Sequence, residues 1–207
     1  MILTNIGPDG EPVTQSHRQA LNNRANMLWH TDSSFKPIPA EASLLSARVI
    51  PSTGGDTEFI SARAVYAALP ERLKTAIEGR VAIHDFAHSR SKIDPSLVTE
   101  AERQSLPPVR QAMVLDHGPE LGKSLYLGAH AKAVEGMDAA AGTALIEELM
   151  AFAGQDRFIY RHQWRRHDLL IWHNRTVLHR ATPFDGAREK RLMVRTTIAG
   201  EAPTPVS

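Results

Sequence analysis

The stretch LWHTDS at residues 28–33 places a histidine and an aspartate two positions apart. Alternate residues of an extended chain point to the same face. A short strand over residues 27–32 would therefore present the imidazole of His30 beside the carboxylate of Asp32. A second histidine, His179, follows much later in the sequence and would supply a third donor. Two histidines and one carboxylate can hold a metal ion and leave its opposite positions open.

The sequence around the later histidine predicts further strands. The apolar run at residues 169–172, the turn residues at 174–175 and the short segment at 177–179 together predict two paired strands. Beyond them, Arg191 and Arg195 stand four positions apart in a stretch rich in β-branched residues. Their even separation places both side chains on one face of an extended strand. We therefore expect the later histidine on a strand that arrives from another part of the chain.

The composition excludes several classes of protein. At 207 residues the chain has the length of one domain with a substantial core. Its formal net charge of +1 and the lack of a basic run give no indication of nucleic-acid or membrane binding. The absence of cysteine excludes thiolate metal sites, which leaves histidine and carboxylate as ligands. Because no apolar run could span a membrane and no signal-peptide pattern is present, we expect a soluble, cytoplasmic protein.

The pattern along the chain predicts a mainly β fold with flanking helices. Strands are predicted at residues 43–50, 57–60, 81–86, 109–115, 124–127, 158–164, 169–172 and 192–199. The clearest helix covers residues 138–152, where apolar residues recur at spacings of three and four. Shorter helices are expected after Ser61, from Pro70 and over residues 99–104. Many strands with two or three helices packed outside them are expected.

Each signal has a simpler interpretation when it is taken alone. The histidine–aspartate pair could be a hydrogen-bonded feature of a loop, and the two arginines would normally be solvated and paired with acids. The stretch GGDT at residues 54–57 could be a simple hairpin turn, although Thr57 could also offer a hydroxyl donor to an anionic ligand. His130 could line a pocket. The prediction of a site therefore depends on several motifs occurring together.

Taken together, the motifs resemble those of one family. In chain order they are WHTD at residues 29–32, GGDT at 54–57, WHNR at 172–175, His179, and Arg191 with Arg195. They resemble the motifs of the Fe(II)/2-oxoglutarate dioxygenases of the TauD/TfdA family, which includes taurine and chlorophenoxyacetate dioxygenases. The resemblance is closest to the chlorophenoxyacetate branch and covers nearly all of residues 3–199. The stretches that favour this branch are residues 123–131, 158–162 and 179–198.

The resemblance implies a fold and a metal site. It implies a double-stranded β-helix (jelly-roll) core in which His30, Asp32 and His179 hold Fe(II). It also implies that Arg191 forms a salt bridge with the distal carboxylate of 2-oxoglutarate and that Thr57 hydrogen-bonds the same end. A fixed planar cation suits such a dianionic cosubstrate, because guanidinium and carboxylate can form two parallel bonds.

The resemblance also implies contacts with a primary substrate. Arg195 matches the position that holds its acidic group near the metal-bound end of the keto acid, Asn26 matches a substrate-contacting position, and His130 is a further candidate. With O2 as the second cosubstrate, the implied reaction hydroxylates a small anionic organic substrate and releases succinate and CO2. For an aryloxyalkanoate, hydroxylation beside the ether oxygen gives an unstable hemiacetal that splits into a phenol and an oxo acid. Relatives use carboxylates, sulfonates and sulfates, so the identity of the substrate stays open.

Two features depart from the family pattern. His173 stands where members usually carry aspartate, and we expect it to replace a structural acid. The first histidine of the metal motif normally follows a much longer stretch of chain. Residues 1–207 are therefore expected to form a single catalytic domain that lacks the usual N-terminal segment and has a more open substrate pocket. Exposed sheet edges would favour pairing into a homo-oligomer.

Two alternatives to an active dioxygenase use the same residues. The chain could be a truncated, catalytically impaired member that binds iron and 2-oxoglutarate and acts as a binding or assembly module. A zinc hydrolase could use the same two histidines and carboxylate. Thr57, Arg191 and Arg195 argue against the hydrolase, because hydrolysis needs no cradle for a keto acid.

Overall fold

The computed structural model describes residues 1–14 and 16–206. Over these residues the fold is mainly β with helices at its flanks, as the sequence predicts. The strands are β1 (Ile2–Thr4), β2 (Ala40–Val49), β3 (Thr57–Ser61), β4 (Val81–His84), β5 (Val109–Ala112), β6 (Val114–Asp116), β7 (Lys123–Leu125), β8 (Ala131–Val134), β9 (Ile159–His162), β10 (Leu169–His173), β11 (Val177–Ala181) and β12 (Leu192–Ala199). The α-helices are α1 (Arg18–Ala25), α2 (Ala62–Ala68), α3 (Glu71–Ile77), α4 (Phe86–Ser91), α5 (Glu100–Ser105) and α6 (Ala139–Ala153).

Two antiparallel sheets frame the functional part of the molecule. Their strand orders are β1-β12-β2-β10 and β11-β3-β9. In β2, Ser43, Leu45 and Ala47 are buried while the two residues between them are less so, the period of two expected of a strand with one buried face. Inward side chains of both sheets meet in one apolar layer that includes Leu45, Phe59, Trp172 and Met193. The two sheets therefore pack face to face.

A larger apolar core attaches the helices to the smaller of these sheets. Ile60 of β3 and Leu178 of β11 enter it from the sheet, and Val65, Leu73 and Leu149 enter it from α2, α3 and α6. All five side chains are almost completely buried. Burial of one such side chain stabilises the fold by roughly 1.5–3 kcal/mol. Packing against the helices therefore fixes the positions of β3 and β11 and of the side chains on these strands.

Three predictions about strands are wrong. Residues 27–32 form a turn instead of a strand, and within it only His30 makes a bridge, to His179. β10 and β11 are not paired with each other, since β10 pairs with β2 and β11 pairs with β3. The predicted strand at residues 109–115 is two strands, because Met113 separates β5 from β6. For β10 and β11 the local pattern identified extended chain but not the partner that each strand would meet.

The sequence signals identified several helix starts but too few helices. Ser61 caps α2, Asp138 caps α6, and Thr99 forms a capping box with Glu102 at the start of α5. The helices α1 and α4 were not predicted, because α1 is polar over most of its length and α4 has only six residues. None of the helices in the described part of the chain is long and apolar enough to cross a membrane.

A buried carboxylate links three strands of the smaller sheet. Glu58 of β3 is 1% exposed and lies between Arg161 of β9 and Arg180 of β11. Nε of Arg161 donates to Oε1 at 2.8 Å, and Nε of Arg180 donates to Oε2 at 2.6 Å. Burial acts to raise the pKa of Glu58, but the two arginines outweigh it and hold the pKa below its ordinary value. Arg180 also lies over the ring of Trp29, 4.4 Å from its centroid, which ties this network to the residue before His30.

Removal of the charge of Glu58 should destabilise the protein. In Glu58→Gln the two arginines lose an ionised partner at a buried position, and we expect the free energy of unfolding to fall by about 2 kcal/mol. The matched control is Glu148→Gln, whose exposed pair with Arg72 should contribute less than about 1 kcal/mol. Urea unfolding of both variants measures the difference. Equal losses in the two variants would contradict the structural role of Glu58.

Candidate metal centre

Three donor side chains converge beside β11. Nε2 of His30 lies 3.9 Å from Oδ1 of Asp32, and Nε2 of His179 lies 3.8 Å from Oδ2 of the same carboxylate. One donor atom from each residue lies within 4.8 Å of the other two. All three residues are buried. The fold therefore brings together the three donors that the sequence singled out.

Backbone contacts fix the turn that carries the first donor. The amide of His30 donates to the carbonyl of His179 at 3.1 Å, and the amide of His179 donates back at 2.8 Å. The amide of Ala129 donates to the carbonyl of Trp29 at 2.8 Å. Gly128 passes so close that a Cβ there would lie 3.2 Å from Cα of His30, and its φ of +138° also disfavours a side chain. These contacts hold the turn in place without the predicted strand.

Both histidines are held in the neutral form that metal binding requires. Burial lowers the pKa of His30, and it lowers the pKa of His179 to about 3. Nδ1 of His30 lies 2.7 Å from the carbonyl oxygen of Leu28. Because a carbonyl can only accept, Nδ1 carries the ring proton and Nε2 keeps a free lone pair. His30 is therefore in the tautomer that can donate to a metal through Nε2.

The carboxylate of Asp32 is held in its ionised form. Oγ of Ser43 donates to Oδ2 at 2.6 Å, and Nη1 of Arg195 donates to Oδ1 at 2.7 Å. Burial acts to raise the pKa of this carboxyl, but the guanidinium of Arg195 and the serine hydrogen bond help to outweigh it and hold the pKa below its ordinary value. Nδ2 of Asn174 donates to Ser43 at 2.9 Å. Sequence reasoning missed Ser43 and assigned Asn174 only to a turn, because spacing along the chain does not signal this contact.

An inner cavity runs from the donors to a buried guanidinium. It is lined by both histidines and by Thr57, Arg191 and Arg195. Nε of Arg191 donates to the carbonyl of Gly55 at 3.0 Å. Gly55 has a φ of +66°, and a Cβ there would lie 3.3 Å from Nε of Arg191, so the close approach requires glycine. The GGDT motif therefore positions an arginine and is not a simple hairpin turn, since β2 and β3 lie in different sheets.

The far end of this cavity is suited to an anion. Burial lowers the pKa of Arg191 to about 10, with Asp56 opposing the shift, so the group stays cationic at neutral pH. In the described part of the chain this guanidinium forms no salt bridge. Oγ1 of Thr57 accepts a hydrogen bond of 3.0 Å from Nε1 of Trp164, which leaves the threonine hydroxyl free to donate. A buried cation beside a hydroxyl donor is a strong site for a carboxylate.

A larger outer cavity of about 650 Å³ also reaches His30. Arg195 and Asn26 line both cavities. His130 lines the outer one, and its ring centroid lies 6.5 Å from that of His30. The three sequence candidates for substrate contact therefore all reach the space next to the metal donors.

The histidine of the WHNR motif lies apart from both cavities. His173 ends β10 and contributes to the lining of neither. Its Nε2 lies 2.7 Å from Oε1 of Glu41, and its Nδ1 lies 3.3 Å from Oγ1 of Thr176. His173 therefore lies outside the three-donor cluster, and its replacement of a structural acid stays a prediction.

The donor set agrees with one class of metal centre. Two neutral imidazoles and one ionised carboxylate need lose no proton before they bind a cation. A metal held by these three protein donors would have positions left for other ligands, which is typical of mononuclear non-haem iron oxygenases. Comparison with known proteins identifies the family, since the profile of the Taurine catabolism dioxygenase TauD, TfdA family matches residues 5–197. The chain belongs to this family.

Two relatives and one solved structure show the extent of the similarity. The chain is 42% identical over 196 residues to the alpha-ketoglutarate-dependent 2,4-dichlorophenoxyacetate dioxygenase of Cupriavidus pinatubonensis, with 95% of this chain and 68% of the relative covered. It is 37% identical over 207 residues to the (S)-phenoxypropionate/alpha-ketoglutarate-dioxygenase of Sphingobium herbicidovorans, and the match covers 96% of this chain and 72% of the relative. The crystal structure of AAD-2 in complex with Mn(II) and N-oxalylglycine matches with a TM-score of 0.93 at 42% identity, and the match covers 99% of this chain and 75% of the AAD-2 chain. The chain thus spans roughly two thirds to three quarters of the length of these proteins.

Substitution of Ser43 should weaken metal binding. Ser43→Ala removes a hydrogen bond from Oδ2 of Asp32, and the loss of such an outer contact typically costs 10–100-fold in metal affinity. We expect Mn(II) affinity, measured by titration followed by electron paramagnetic resonance, to fall by about 10-fold or more. Ser46→Ala is the matched control, because Ser46 lies on the same strand with its side chain on the opposite face. An unchanged affinity in Ser43→Ala would show that the serine does not support the metal site.

Proposed function

We propose that residues 1–207 form one catalytic domain that couples the decarboxylation of 2-oxoglutarate to the hydroxylation of a small organic anion. The observation that carries this proposal is the inner cavity, which reaches from His30 and His179 of the three-donor cluster to the guanidinium of Arg191. A hydrolase would have no use for that cationic end. We also propose a double-stranded β-helix core, which the two facing antiparallel sheets support.

The three donors would bind the metal cofactor, and the inner cavity would bind the cosubstrate. In this proposal His30, Asp32 and His179 hold Fe(II). When bound, the iron would supply the oxidation of the substrate by O2, and 2-oxoglutarate would be converted to succinate and CO2. Arg191 pairs with the distal carboxylate of 2-oxoglutarate, and the hydroxyl of Thr57 donates to the same group. Both groups lie in place before the cosubstrate arrives, so little ordering is needed when it binds.

Arg195 links the metal centre to the substrate side. Its Nη1 bond of 2.7 Å keeps the carboxylate of Asp32 oriented, its Nη2 lies 3.6 Å from Sδ of Met1, and its buried Nε has no partner in the described chain. We propose that this guanidinium also contacts the acidic group of the substrate close to the metal-bound end of the keto acid. Asn26 and His130 would complete the near wall of the outer cavity, where the substrate must enter.

The relatives favour an aryloxyalkanoate as the substrate class. The names of the two relatives described above specify 2,4-dichlorophenoxyacetate and (S)-phenoxypropionate. For such a compound, replacement of a C–H bond beside the ether oxygen by C–OH gives a hemiacetal. The hemiacetal then breaks its bond to the aryl oxygen, which leaves as a phenol while the rest becomes an oxo acid. The acidic group that Arg195 would hold therefore remains on the oxo acid product.

Cosubstrate binding and turnover test this proposal separately. Anaerobic addition of Fe(II) and 2-oxoglutarate should produce a visible metal-to-ligand charge-transfer band. In air, 2,4-dichlorophenoxyacetate should then stimulate the release of succinate together with 2,4-dichlorophenol. A band without substrate-stimulated succinate would favour the impaired binding module. Absence of the band would contradict the assignment of iron and 2-oxoglutarate to this site.

Loss of the Arg191 charge should affect the keto acid selectively. In Arg191→Gln the distal carboxylate would lose its ion pair in a buried setting, and we expect the half-saturating concentration of 2-oxoglutarate to rise about 30-fold or more. The affinity for Mn(II) alone should be retained, because Arg191 does not contact the donors. Arg188→Gln is the matched control, since its side chain is 87% exposed. A similar 2-oxoglutarate dependence in both variants would refute the role of Arg191.

A further inference from the structure

The outer cavity contains an arginine to which none of the roles above applies. Arg90 of α4 lines this cavity together with Arg195. Within residues 1–14 and 16–206, its guanidinium forms neither a salt bridge nor a hydrogen bond, and its buried Nε has no partner. A buried polar group without a partner costs free energy, so its position needs a reason.

The wall of the outer cavity is short of negative charge. Asp32 is the one carboxylate among the described residues that line it, and Arg195 is already bonded to that carboxylate. Arg18, which also lines the cavity, is paired with Glu102. Arg90 therefore adds a positive charge that the lining does not balance. An anion that entered the cavity would gain from this imbalance.

A row of rings leads from Arg90 to the metal donors. The guanidinium lies 5.0 Å from the ring of Phe86, a stacking contact that fixes its orientation. The rings of Phe86 and Phe35 are 4.9 Å apart, and those of Phe35 and His130 are 4.8 Å apart. His130 in turn faces His30. Such a wall offers edges and faces on which an aryl group can pack.

We propose that Arg90 binds the acidic group of the primary substrate and is the residue that selects acids over neutral aryl ethers. Arg195 shares this contact from the other side, but one of its nitrogens is committed to Asp32. Arg90 has no such commitment in the described chain, and its guanidinium can meet a carboxylate with two bonds. The inference rests on the proposed function, because it assumes that the substrate reaches the metal through the outer cavity.

The test compares an acid with its uncharged analogue. Protein loaded with Mn(II) and N-oxalylglycine is titrated calorimetrically with 2,4-dichlorophenoxyacetate and with the corresponding amide. The variants are Arg90→Gln, Arg90→Lys and, as a matched control, Arg103→Gln, whose side chain is exposed on α5 outside the cavity. Retained Mn(II) affinity shows that each variant is folded at the metal site.

We expect the preference for the acid to be lost in Arg90→Gln and retained in wild type and Arg103→Gln. Wild type and Arg103→Gln should bind the acid more tightly than the amide. In Arg90→Gln the dissociation constant of the acid should rise about 30-fold or more, while that of the amide changes little. Arg90→Lys should restore part of the preference, because it keeps the charge but not the two-bond geometry.

Two outcomes would overturn the proposal. One is an unchanged preference for the acid in both Arg90 variants, and the other is a wild-type protein that does not distinguish acid from amide. The role of Arg90 and the proposed dioxygenase activity can be refuted independently of each other. An Arg90-dependent preference in a protein that releases no succinate would refute dioxygenase activity alone, whereas normal succinate release with an unchanged preference would refute the role of Arg90 alone.

Discussion

The pair of backbone hydrogen bonds between His30 and His179 is the constraint on which the rest of the site depends. It joins the turn after α1 to β11, and so brings together donors from distant parts of the sequence. Asp32 follows two residues later and needs no further element to reach the same point. Gly128 passes close to this turn, where a Cβ would lie 3.2 Å from Cα of His30. The metal centre is therefore built on a turn that the surrounding sheets hold rigid.

The distribution of buried charge indicates what the protein is prepared to bind. Asp32 and Glu58 are buried carboxylates, and each is neutralised by arginine. Arg191 and Arg90 differ, because in the described chain neither forms a salt bridge and one lines each cavity. A buried cation without an acidic partner lowers the stability of the folded protein. An anion that binds beside the cation offsets this loss. This distribution is the basis of our proposals that each cavity binds an anion.

The sequence was sufficient for the donors but not for their surroundings. His30, Asp32 and His179 could be identified because their motifs occur in a recognisable order, and Ser61 could be identified because caps act locally. The pairing of β10 and β11 was predicted wrongly, since extended segments do not specify which strand they will join. Ser43, Asn174, Glu58 and Arg90 were missed for the same reason. Their contacts exist only because particular strands and helices meet in the folded chain.

The most direct test is anomalous diffraction from crystals of this protein grown with Mn(II) and N-oxalylglycine. The account predicts one manganese peak bonded to Nε2 of His30, Nε2 of His179 and the carboxylate of Asp32, with a carboxylate of N-oxalylglycine paired to Arg191. A manganese peak elsewhere, or histidines that turn away from a common point, would contradict it.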